Sequence, residues 1–330
     1  MIRVAMLSYW HVHAWDYTKQ ALAHPDVELA AVWDELPERG QQAADELGVP
    51  YYSQLSELLA RTDIDAVVVD TPTNMHRDVM VQAARAGKHI FTEKVIAPTL
   101  HEVDDILAAV EAAGVTLTVS LPRLNHPYTL AIQRILSEGT LGELTLVRAR
   151  LSHNGAIADW LPQHFYNLEQ CGGGALIDLG CHPMYLTRLF MGMPEAVSAT
   201  YGYVTGKEVE DNAAVLLSGE NGRIGIVEAG FVNSHSPFTI ELHGTEGTLL
   251  YGTPESKLLL RSNAADATQW VEVPLPEERI SAFEQWVNHI QSGTKAEENI
   301  GLARDLTILM EASNLSVAEK RVVQINNNEA

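Results

Sequence analysis

The sequence predicts an α/β domain followed by an α+β domain, and the hydrophobic pattern of each half supports this. In residues 1–121, nearly continuous apolar runs alternate with helical segments, which is typical of a doubly wound parallel sheet covered by helices. In residues 122–330, strand-like runs alternate apolar and polar residues, which indicates a largely antiparallel open sheet with helices on one face. The change of period near Leu121 and Pro122 places the domain boundary there.

Strand and helix signals follow one another regularly in the first half. Strands are predicted at 2–7, 27–34, 65–72, 88–94 and 115–120, and helices at 16–25, 37–48, 54–60 and 76–87. A further helix follows Pro98, where apolar residues recur at helical spacing from Val103 to Val110. Gly87 is expected to cap the helix before it. This order is that of repeated βα units.

The second half is predicted to begin its sheet with the strand 145–151. Val147 and Ala149 point to one side of this strand, and Arg148 and Arg150 point to the other. Further strands are predicted at 196–204, 213–219, 223–232, 238–244, 248–252, 257–262 and 269–275. Helices are predicted at about 127–138, 174–190, 280–292 and 301–320.

Composition excludes several classes of partner. The net charge of −21 disfavours binding to nucleic acid and to anionic membranes, and it is compatible with a neutral sugar or polyol. We expect no membrane span and no signal peptide, because no apolar run is long enough and the N-terminus lacks the required pattern. Only Cys171 and Cys181 are present, which favours a reducing compartment and a cytoplasmic location, although one disulfide stays possible.

Three segments resemble one family when they are read in order. The segment TPTNMHRDVMVQAARAGKHIFTEKVIA is similar to the T-P-x-x-x-H, A-G-K-H and E-K-P block of the glucose-fructose oxidoreductase/inositol dehydrogenase (Gfo/Idh/MocA) family. GGGALIDLGCHPMYLTRLFMG and LHGTEGTL resemble two later motifs of that family. The resemblance implies an N-terminal Rossmann domain, a C-terminal sheet domain, a nicotinamide cofactor and hydride transfer at a sugar or cyclitol carbon.

Two departures from the family pattern concern the cofactor site. The G-x-G-x-x-G/A fingerprint falls on Ser8, Trp10 and His13, so none of its glycines remains. The glycines normally permit a tight turn and a close approach of the backbone to the pyrophosphate. The family's E-K-P reads Glu93-Lys94-Val95, and the lost proline removes the residue type that tolerates a cis peptide bond.

The loop after the first strand is nevertheless interpreted as a cofactor loop. The following helix N-terminus still attracts a diphosphate, Trp10 offers a flat face, and Asp34 lies where a carboxylate can bind ribose hydroxyls. Glu35 beside Asp34, with the nearest arginine at Arg39, disfavours a 2′-phosphate, so NAD is expected rather than NADP. The predicted cofactor-binding residues are Ser8, Trp10, His11, Val12, His13, Asp34, Thr71, Pro72, Asn74, His76, Glu93 and Lys94.

The pair His11 and His13 leaves two other interpretations open. A His-x-His at the end of a first strand resembles the opening of amidohydrolases, in which both imidazoles bind a metal inside a (β/α)8 barrel. That barrel would require parallel βα units to the end of the chain, whereas the second half reads antiparallel. The two histidines could also simply line a cleft. We therefore expect no metal.

Asp178, His182 and Lys94 are the predicted catalytic residues. Asp178 and His182 are four residues apart in a helical stretch, so their side chains share one face. Histidine suits an acid/base that takes a hydroxyl proton while hydride leaves the same carbon, and Lys94 can stabilise the charged oxygen. The resemblance assigns the family's Lys, Asp and His to these residues. On spacing alone, such a pair is more often a solvated helix face.

The predicted substrate residues lie in the second domain, and each could equally serve ordinary packing: Arg123, His153, Trp160, His164 and Tyr166. The function expected is that of an NAD-dependent dehydrogenase or reductase of carbohydrate metabolism, acting on the CH–OH group of a sugar or cyclitol. Its alternatives are a lyase or glycosidase that oxidises its substrate transiently, the metal-dependent hydrolase above, and a non-catalytic regulator. The open sheet face and the resemblance predict a homodimer or homotetramer.

Overall fold

The computed structural model describes residues 1–253, 255–263 and 267–325, and the chain divides into two units. The first unit contains residues Met1–Leu121 and Ile280–Arg304. The second contains Pro122–Arg279 and the chain from Asp305 onward. The sequence prediction had assigned residues 280–304 to the second domain, and this assignment differs from the observed division.

A six-stranded parallel sheet forms the centre of the first unit. Its strands are β1 (Ile2–Leu7), β2 (Val27–Trp33), β3 (Tyr51–Tyr52), β4 (Ala66–Val69), β5 (His89–Thr92) and β6 (Leu117–Val119). They lie in the order β3-β2-β1-β4-β5-β6, with all neighbouring pairs parallel. This is the doubly wound order, in which a ligand crevice forms beyond the carboxyl ends of β1 and β4. The two-residue β3 was not predicted because it has no periodicity.

Capping residues explain where some helices of the βα units begin and end. They are α1 (Ala14–Ala23), α2 (Pro37–Leu47), α3 (Leu55–Leu59), α4 (His76–Arg85) and α5 (Leu100–Ala113). Thr99 and Glu102 form a capping box at the start of α5, and Gly114 ends it in the left-handed conformation. Gly48 ends α2 in the same way.

A nine-stranded sheet forms the centre of the second unit. Its strands are β7 (Leu144–Ser152), β8 (Ala196–Gly202), β9 (Asn212–Ser218), β10 (Ile224–Gly230), β11 (Thr239–Gly244), β12 (Gly247–Tyr251), β13 (Leu258–Ser262), β14 (Ala267–Glu272) and β15 (Val323–Gln324). The order is β14-β13-β12-β11-β7-β10-β9-β8-β15, and all neighbours are antiparallel except the parallel pair β7 and β10. This mixed sheet confirms the predicted fold class and excludes the (β/α)8 barrel.

The remaining helices are α6 (Pro127–Ser137), α7 (Leu168–Cys171), α8 (Cys181–Met191), α9 (Ala282–Ser292) and α10 (Glu297–Glu319). A π-helical turn, Leu176–Gly180, leads directly into α8, so the predicted helix 174–190 has two parts. α8 packs on β7 and β10. Both cysteines are buried and reduced. No helix in the described part of the chain is long and apolar enough to cross a membrane.

Helix α9 explains why the chain from 280 to 304 belongs to the first unit. Phe283, Trp286 and Val287 recur at helical spacing and are almost fully buried in the core beneath β1, β2, β4 and β5. The ring of Phe283 meets Phe91 of β5 edge to face, with a centroid distance of 5.5 Å. Periodicity predicted the helix, but no sequence signal identifies the sheet on which it packs.

Candidate functional site

Four neighbouring strands of the first unit end in polar residues at one edge of the sheet. Ser8 follows β1, Asp34 follows β2, Asp70 follows β4 and Glu93 follows β5. All four residues are at most 2% exposed. Because polar groups are seldom buried at such density without a purpose, this edge is the candidate site of the unit.

The loop between β1 and α1 retains a tight turn without glycine. Ser8 adopts a positive φ of 81°, a conformation that usually favours glycine. Its hydroxyl oxygen accepts the N–H of Trp10 at 3.0 Å, and its own N–H donates to Trp33 at 2.7 Å. The Ser8 side chain therefore stabilises the turn itself. Trp10 and His11 are buried, whereas Val12 and His13 are exposed.

Helix α1 begins directly after this loop. Its N-cap residue, His13, makes no side-chain capping hydrogen bond to the helix. The first turn of a helix presents backbone N–H groups and a partial positive charge, and both suit an anionic group. The order β1, tight turn and helix N-terminus therefore fits a dinucleotide diphosphate, although the glycines are replaced by larger residues.

The carboxylate of Asp34 is fully engaged by protein groups. It accepts the N–H groups of Tyr9 and Leu36, both at 2.8 Å, and it also accepts two bonds from the guanidinium of Arg39, at 2.9 and 2.7 Å. A carboxylate offers about four acceptor positions. These four bonds use all of the acceptor positions of Asp34, and the expectation that it binds ribose hydroxyls stays a prediction.

Arg39 joins the acidic pair that follows β2. Its guanidinium also bonds Glu35 and lies 3.3 Å from the Ser8 hydroxyl oxygen. Burial, followed by the negative charge of Asp34, raises the pKa of Glu35. Two carboxylates therefore surround one cation, so the arginine carries no surplus charge for a phosphate group.

His76 links the segments that follow β4 and β5. Its Nδ1 lies 2.9 Å from the carbonyl oxygen of Val95, and its Nε2 lies 3.2 Å from that of Thr71. Burial lowers the pKa of His76. The side chain holds two loops together, while Pro72 is buried and Asn74 is exposed in the short 3-10 turn beside it.

Glu93 and Lys94 directly follow β5, and both are buried. The Tyr17 hydroxyl donates to Glu93 Oε2 and lies 2.7 Å from Ser120 Oγ. Lys94 Nζ is 3.7 Å from Glu93 Oε1. The peptide bond between Lys94 and Val95 is cis, although valine stands where the family pattern has proline.

The glycine run Gly172-Gly173-Gly174 of the second unit contacts the buried carboxylate of Glu210. Glu210 is 4% exposed and accepts the N–H groups of Gly174 and Leu176, both at 2.9 Å. A Cβ atom on Gly174 would lie 2.1 Å from the carbonyl oxygen of Glu210. Gly174 is therefore held in close contact at the entry to the π-helical turn. Glu210 was missed because nothing adjacent in sequence marks it.

Asp178 lies in the π-helical turn, and His182 lies in the first turn of α8. Nδ1 of His182 is 3.2 Å from the hydroxyl oxygen of Tyr185, which accepts the N–H of Arg123 at 3.0 Å. Burial lowers the pKa of His153, and the negative charge of Asp178 opposes this shift. Asp178 therefore interacts electrostatically with His153. It also lies four residues before His182 in the sequence. π-helical turns are frequent at functional sites.

The other predicted substrate residues separate into two groups. His153 stacks on Phe231 at 5.1 Å and meets the half-exposed Trp160 at 4.6 Å. The hydroxyl of Tyr166, by contrast, is buried without a hydrogen-bond partner in the described chain. Tyr166 belongs to a local hydrophobic cluster that also contains Phe165. Phe165 directly follows His164 in the sequence.

Arg123 is held by aromatic residues of its own unit. Its guanidinium lies 4.1 Å from the ring centroid of Phe238 and donates to the Tyr128 hydroxyl at 3.0 Å. The cation is therefore fixed in position by a cation–π contact and a hydrogen bond.

Comparison with known proteins gives two family matches. Residues 5–121 match the model described as oxidoreductase family, NAD-binding Rossmann fold, and residues 129–250 match the GFO/IDH/MocA C-terminal domain. Together these matches cover most of the chain.

Two relatives and one solved structure show the same similarity over nearly the full length. The chain is 30% identical to 1,5-anhydro-D-fructose reductase of Ensifer adhaerens over 88% of this chain and 91% of the relative. It is 27% identical to inositol 2-dehydrogenase of Rhizobium meliloti (strain 1021), over 94% and 95%. Levoglucosan dehydrogenase in complex with NADH and levoglucosan has the same fold, with a TM-score of 0.84, 20% identity and coverage of 99% and 100%.

Proposed function

The chain belongs to the Gfo/Idh/MocA family of oxidoreductases, and from that premise we propose that it transfers hydride between NAD(H) and a sugar, a cyclitol or a derived ketone. It is an oxidoreductase that acts on CH–OH groups. The main support for the proposal is the pairing of a doubly wound unit, with buried polar residues at its strand ends, and a second unit that carries Asp178 and His182 on a π-helical turn and α8.

The loop at Ser8 and the N-terminus of α1 would hold the cofactor diphosphate. This assignment is supported by the left-handed turn at Ser8 and by the helix start directly after it. Thr71, Pro72 and Asn74 after β4 would lie along the cofactor, as expected from the sequence. When bound, the nicotinamide ring supplies the hydride acceptor or donor.

NAD is proposed as the cofactor in preference to NADP. The two carboxylates of Asp34 and Glu35 surround Arg39, the cation nearest in sequence. A ribose 2′-phosphate placed beside this group would be repelled by its net negative charge. A 2′-hydroxyl group is uncharged and would not be repelled.

His182 is proposed as the acid/base, Asp178 as its electrostatic partner and Lys94 as the group that stabilises the reacting oxygen. In the oxidative direction, the imidazole takes the hydroxyl proton as hydride leaves the same carbon. The Tyr185 contact orients the His182 ring. Lys94 is 6% exposed, and a buried ammonium group interacts strongly with a developing negative charge.

His153 and Trp160 are proposed to contact the substrate. They are adjacent, and the exposed Trp160 ring offers an apolar face to a sugar ring. Arg123, His164 and Tyr166 are weaker candidates, since the structure gives Arg123 and Tyr166 packing roles within their own unit.

A turnover assay tests this proposal. Purified protein is incubated with sugars, cyclitols and their keto derivatives, each with NAD⁺ or NADH, and nicotinamide absorbance is followed. We expect net cofactor conversion with at least one compound. Substrate conversion without any net change of the cofactor would instead favour the lyase or glycosidase alternative, which the names of the compared relatives do not support.

The second unit is also proposed to self-associate through the open face of its sheet. Leu216 and Ile224 are large apolar residues on that sheet and are 47% and 41% exposed. Exposed apolar residues on a wide sheet are commonly covered by a second copy of the chain. Light scattering should therefore report a dimer or a tetramer, and a monomer would contradict this part of the proposal.

A further inference from the structure

His11, His13 and Glu93 form a compact group at the edge of the first sheet. One potential ligand atom from each residue lies within 4.8 Å of the other two. The histidines come from the loop after β1, and Glu93 directly follows β5. The three residues are distant in sequence, so the fold brings them together.

Glu93 directs one oxygen toward this group. Its Oε2 is occupied by the Tyr17 hydroxyl, while its Oε1 lies 3.9 Å from Nε2 of His11. Glu93 is 2% exposed and His11 is 7% exposed, so both are largely shielded from water. A buried carboxylate beside an imidazole nitrogen is a common arrangement for a metal ligand pair.

A second buried carboxyl group lies at the same edge of the sheet. Asp70, which ends the neighbouring strand β4, is fully buried, and neither of its carboxylate oxygens has a hydrogen-bond partner in the described chain. Burial and the charge of Glu93 raise the pKa of Asp70. Because Asp70 keeps its proton, Lys94, 3.7 Å from Glu93 Oε1, faces the single carboxylate of Glu93.

The orientation of His13 is also compatible with a metal ligand. Its Nδ1 lies 3.3 Å from Oδ2 of Asp16 in the first turn of α1. A carboxylate beside Nδ1 favours the tautomer with a proton there, which leaves Nε2 to bind a metal. Nδ1 of His11 accepts the N–H of His13 at a long distance of 3.3 Å. If Nε2 of His11 bound a metal, the ring proton would move to Nδ1, and this hydrogen bond would be lost.

We propose that His11, His13 and Glu93 bind a divalent transition metal ion such as Zn²⁺ or Co²⁺. Two imidazoles and a carboxylate are a donor set that suits these ions, and three protein ligands leave one position open for an oxygen ligand from outside the chain. The site is distinct from a barrel hydrolase, because it sits on a doubly wound sheet in an oxidoreductase of this family. Asp16 acts as a positioning residue for His13.

Cobalt titration of the full-length protein tests this site without any need for turnover. The protein is purified without a histidine tag, treated with chelator and titrated with Co²⁺, and the visible d–d absorption is recorded. We expect a tetrahedral cobalt spectrum and, by native mass spectrometry with Zn²⁺, one ion per chain. His13→Ala should abolish the spectrum; because His13 is exposed, this variant should fold normally. Asp16→Asn should weaken metal binding by about 10-fold to 100-fold.

His101→Ala is the matched control, since His101 is an 85% exposed histidine on α5 of the same unit. It should bind cobalt as the unmodified protein does. The proposal is overturned if the unmodified protein gives no cobalt spectrum, or if His13→Ala binds the ion as tightly as His101→Ala. In either case His11 and Glu93 make an internal contact only. NADH binding, measured on the same chelated sample, reports separately on the proposed function.

Discussion

The loop after β1 and the entry to α8 are both glycine motifs in the family that this chain resembles, yet only the second keeps its glycines. At the loop, Ser8 adopts the left-handed conformation itself and bonds the turn with its hydroxyl group. At the helix entry, a Cβ on Gly174 would lie 2.1 Å from a backbone oxygen, and no side chain could avoid this contact. A glycine required for conformation is therefore replaceable, whereas a glycine required for space is not.

The largest expected effect concerns α8, the helix that follows the glycine-containing entry. His182→Asn should lower kcat/KM by about 10²-fold to 10⁴-fold, because the proposed acid/base is lost. Steady-state kinetics with NAD⁺ and an active substrate measure this effect. His101→Asn, which changes an 85% exposed side chain on α5, should leave kcat/KM unchanged. Equal activity of the two variants would remove His182 from the mechanism.

Gly174→Ala should be strongly destabilising. The added methyl group would overlap the Glu210 carbonyl oxygen and approach Val209 Cβ to 2.8 Å, so the backbone must shift at a cost of about 3 kcal/mol. Chemical denaturation measures the change in the free energy of unfolding. In contrast, Gly301→Ala in α10 meets no atom within 4 Å and should stabilise the chain by about 0.5–1 kcal/mol. Similar stability of both variants would show that the 174 position has room to adapt.

Asp70→Asn examines the charge buried beneath the glycine-free loop. Burial raises the pKa of Asp70, so the folded chain binds this proton more tightly than the unfolded chain does. Stability from this group is therefore greatest below the unfolded pKa and declines as the pH rises toward the folded pKa. Since Asn does not titrate, the variant should gain relative stability with rising pH, by about 1–2 kcal/mol at neutral pH.

Thermal unfolding of the chelated Asp70→Asn protein, compared with unmodified protein from acidic to neutral pH, measures this difference. A difference that stays constant with pH would show that Asp70 does not titrate differently in the folded chain.

Ser8 gives the smallest and most specific contrast. Ser8→Gly loses the hydrogen bond to Trp10 but relieves the positive φ, so stability should change by less than about 0.5 kcal/mol. Ser8→Ala loses the same bond and keeps the unfavourable φ, which should destabilise the chain by about 1 kcal/mol. Denaturation curves of the two variants decide. If both lose the same stability, the left-handed conformation has no energetic consequence at this position.

Most strands were predictable from the period of the hydrophobic pattern, because that period depends only on residues that are close together in the sequence. Nearly continuous runs marked β1, β2, β4 and β5, and alternation in 145–151 marked β7. The two-residue strands β3 and β15 were not predicted, because pairing partners rather than local pattern create them. The same reason explains why α9 could be predicted as a helix but not placed on the first sheet.

The candidate site was predictable only in part, because spacing identifies residue types and not their partners. Asp34 was correctly placed at the end of β2, but sequence could not show that Arg39 and two backbone N–H groups would occupy its carboxylate. Glu210 and Asp70 carried no motif at all. Glu93 was named as a cofactor residue, but its approach to His11 arises from the pairing of β1, β4 and β5.

The central claim is that a dinucleotide binds at a glycine-free loop and that it is NAD(H). Calorimetric titration of the purified, unmodified protein with NADH and then with NADPH tests this claim most directly. We expect NADH to bind at one site per chain and at least about tenfold more tightly than NADPH, a difference of about 1.4 kcal/mol. No binding of NADH at millimolar concentration, or tighter binding of NADPH, would contradict the account.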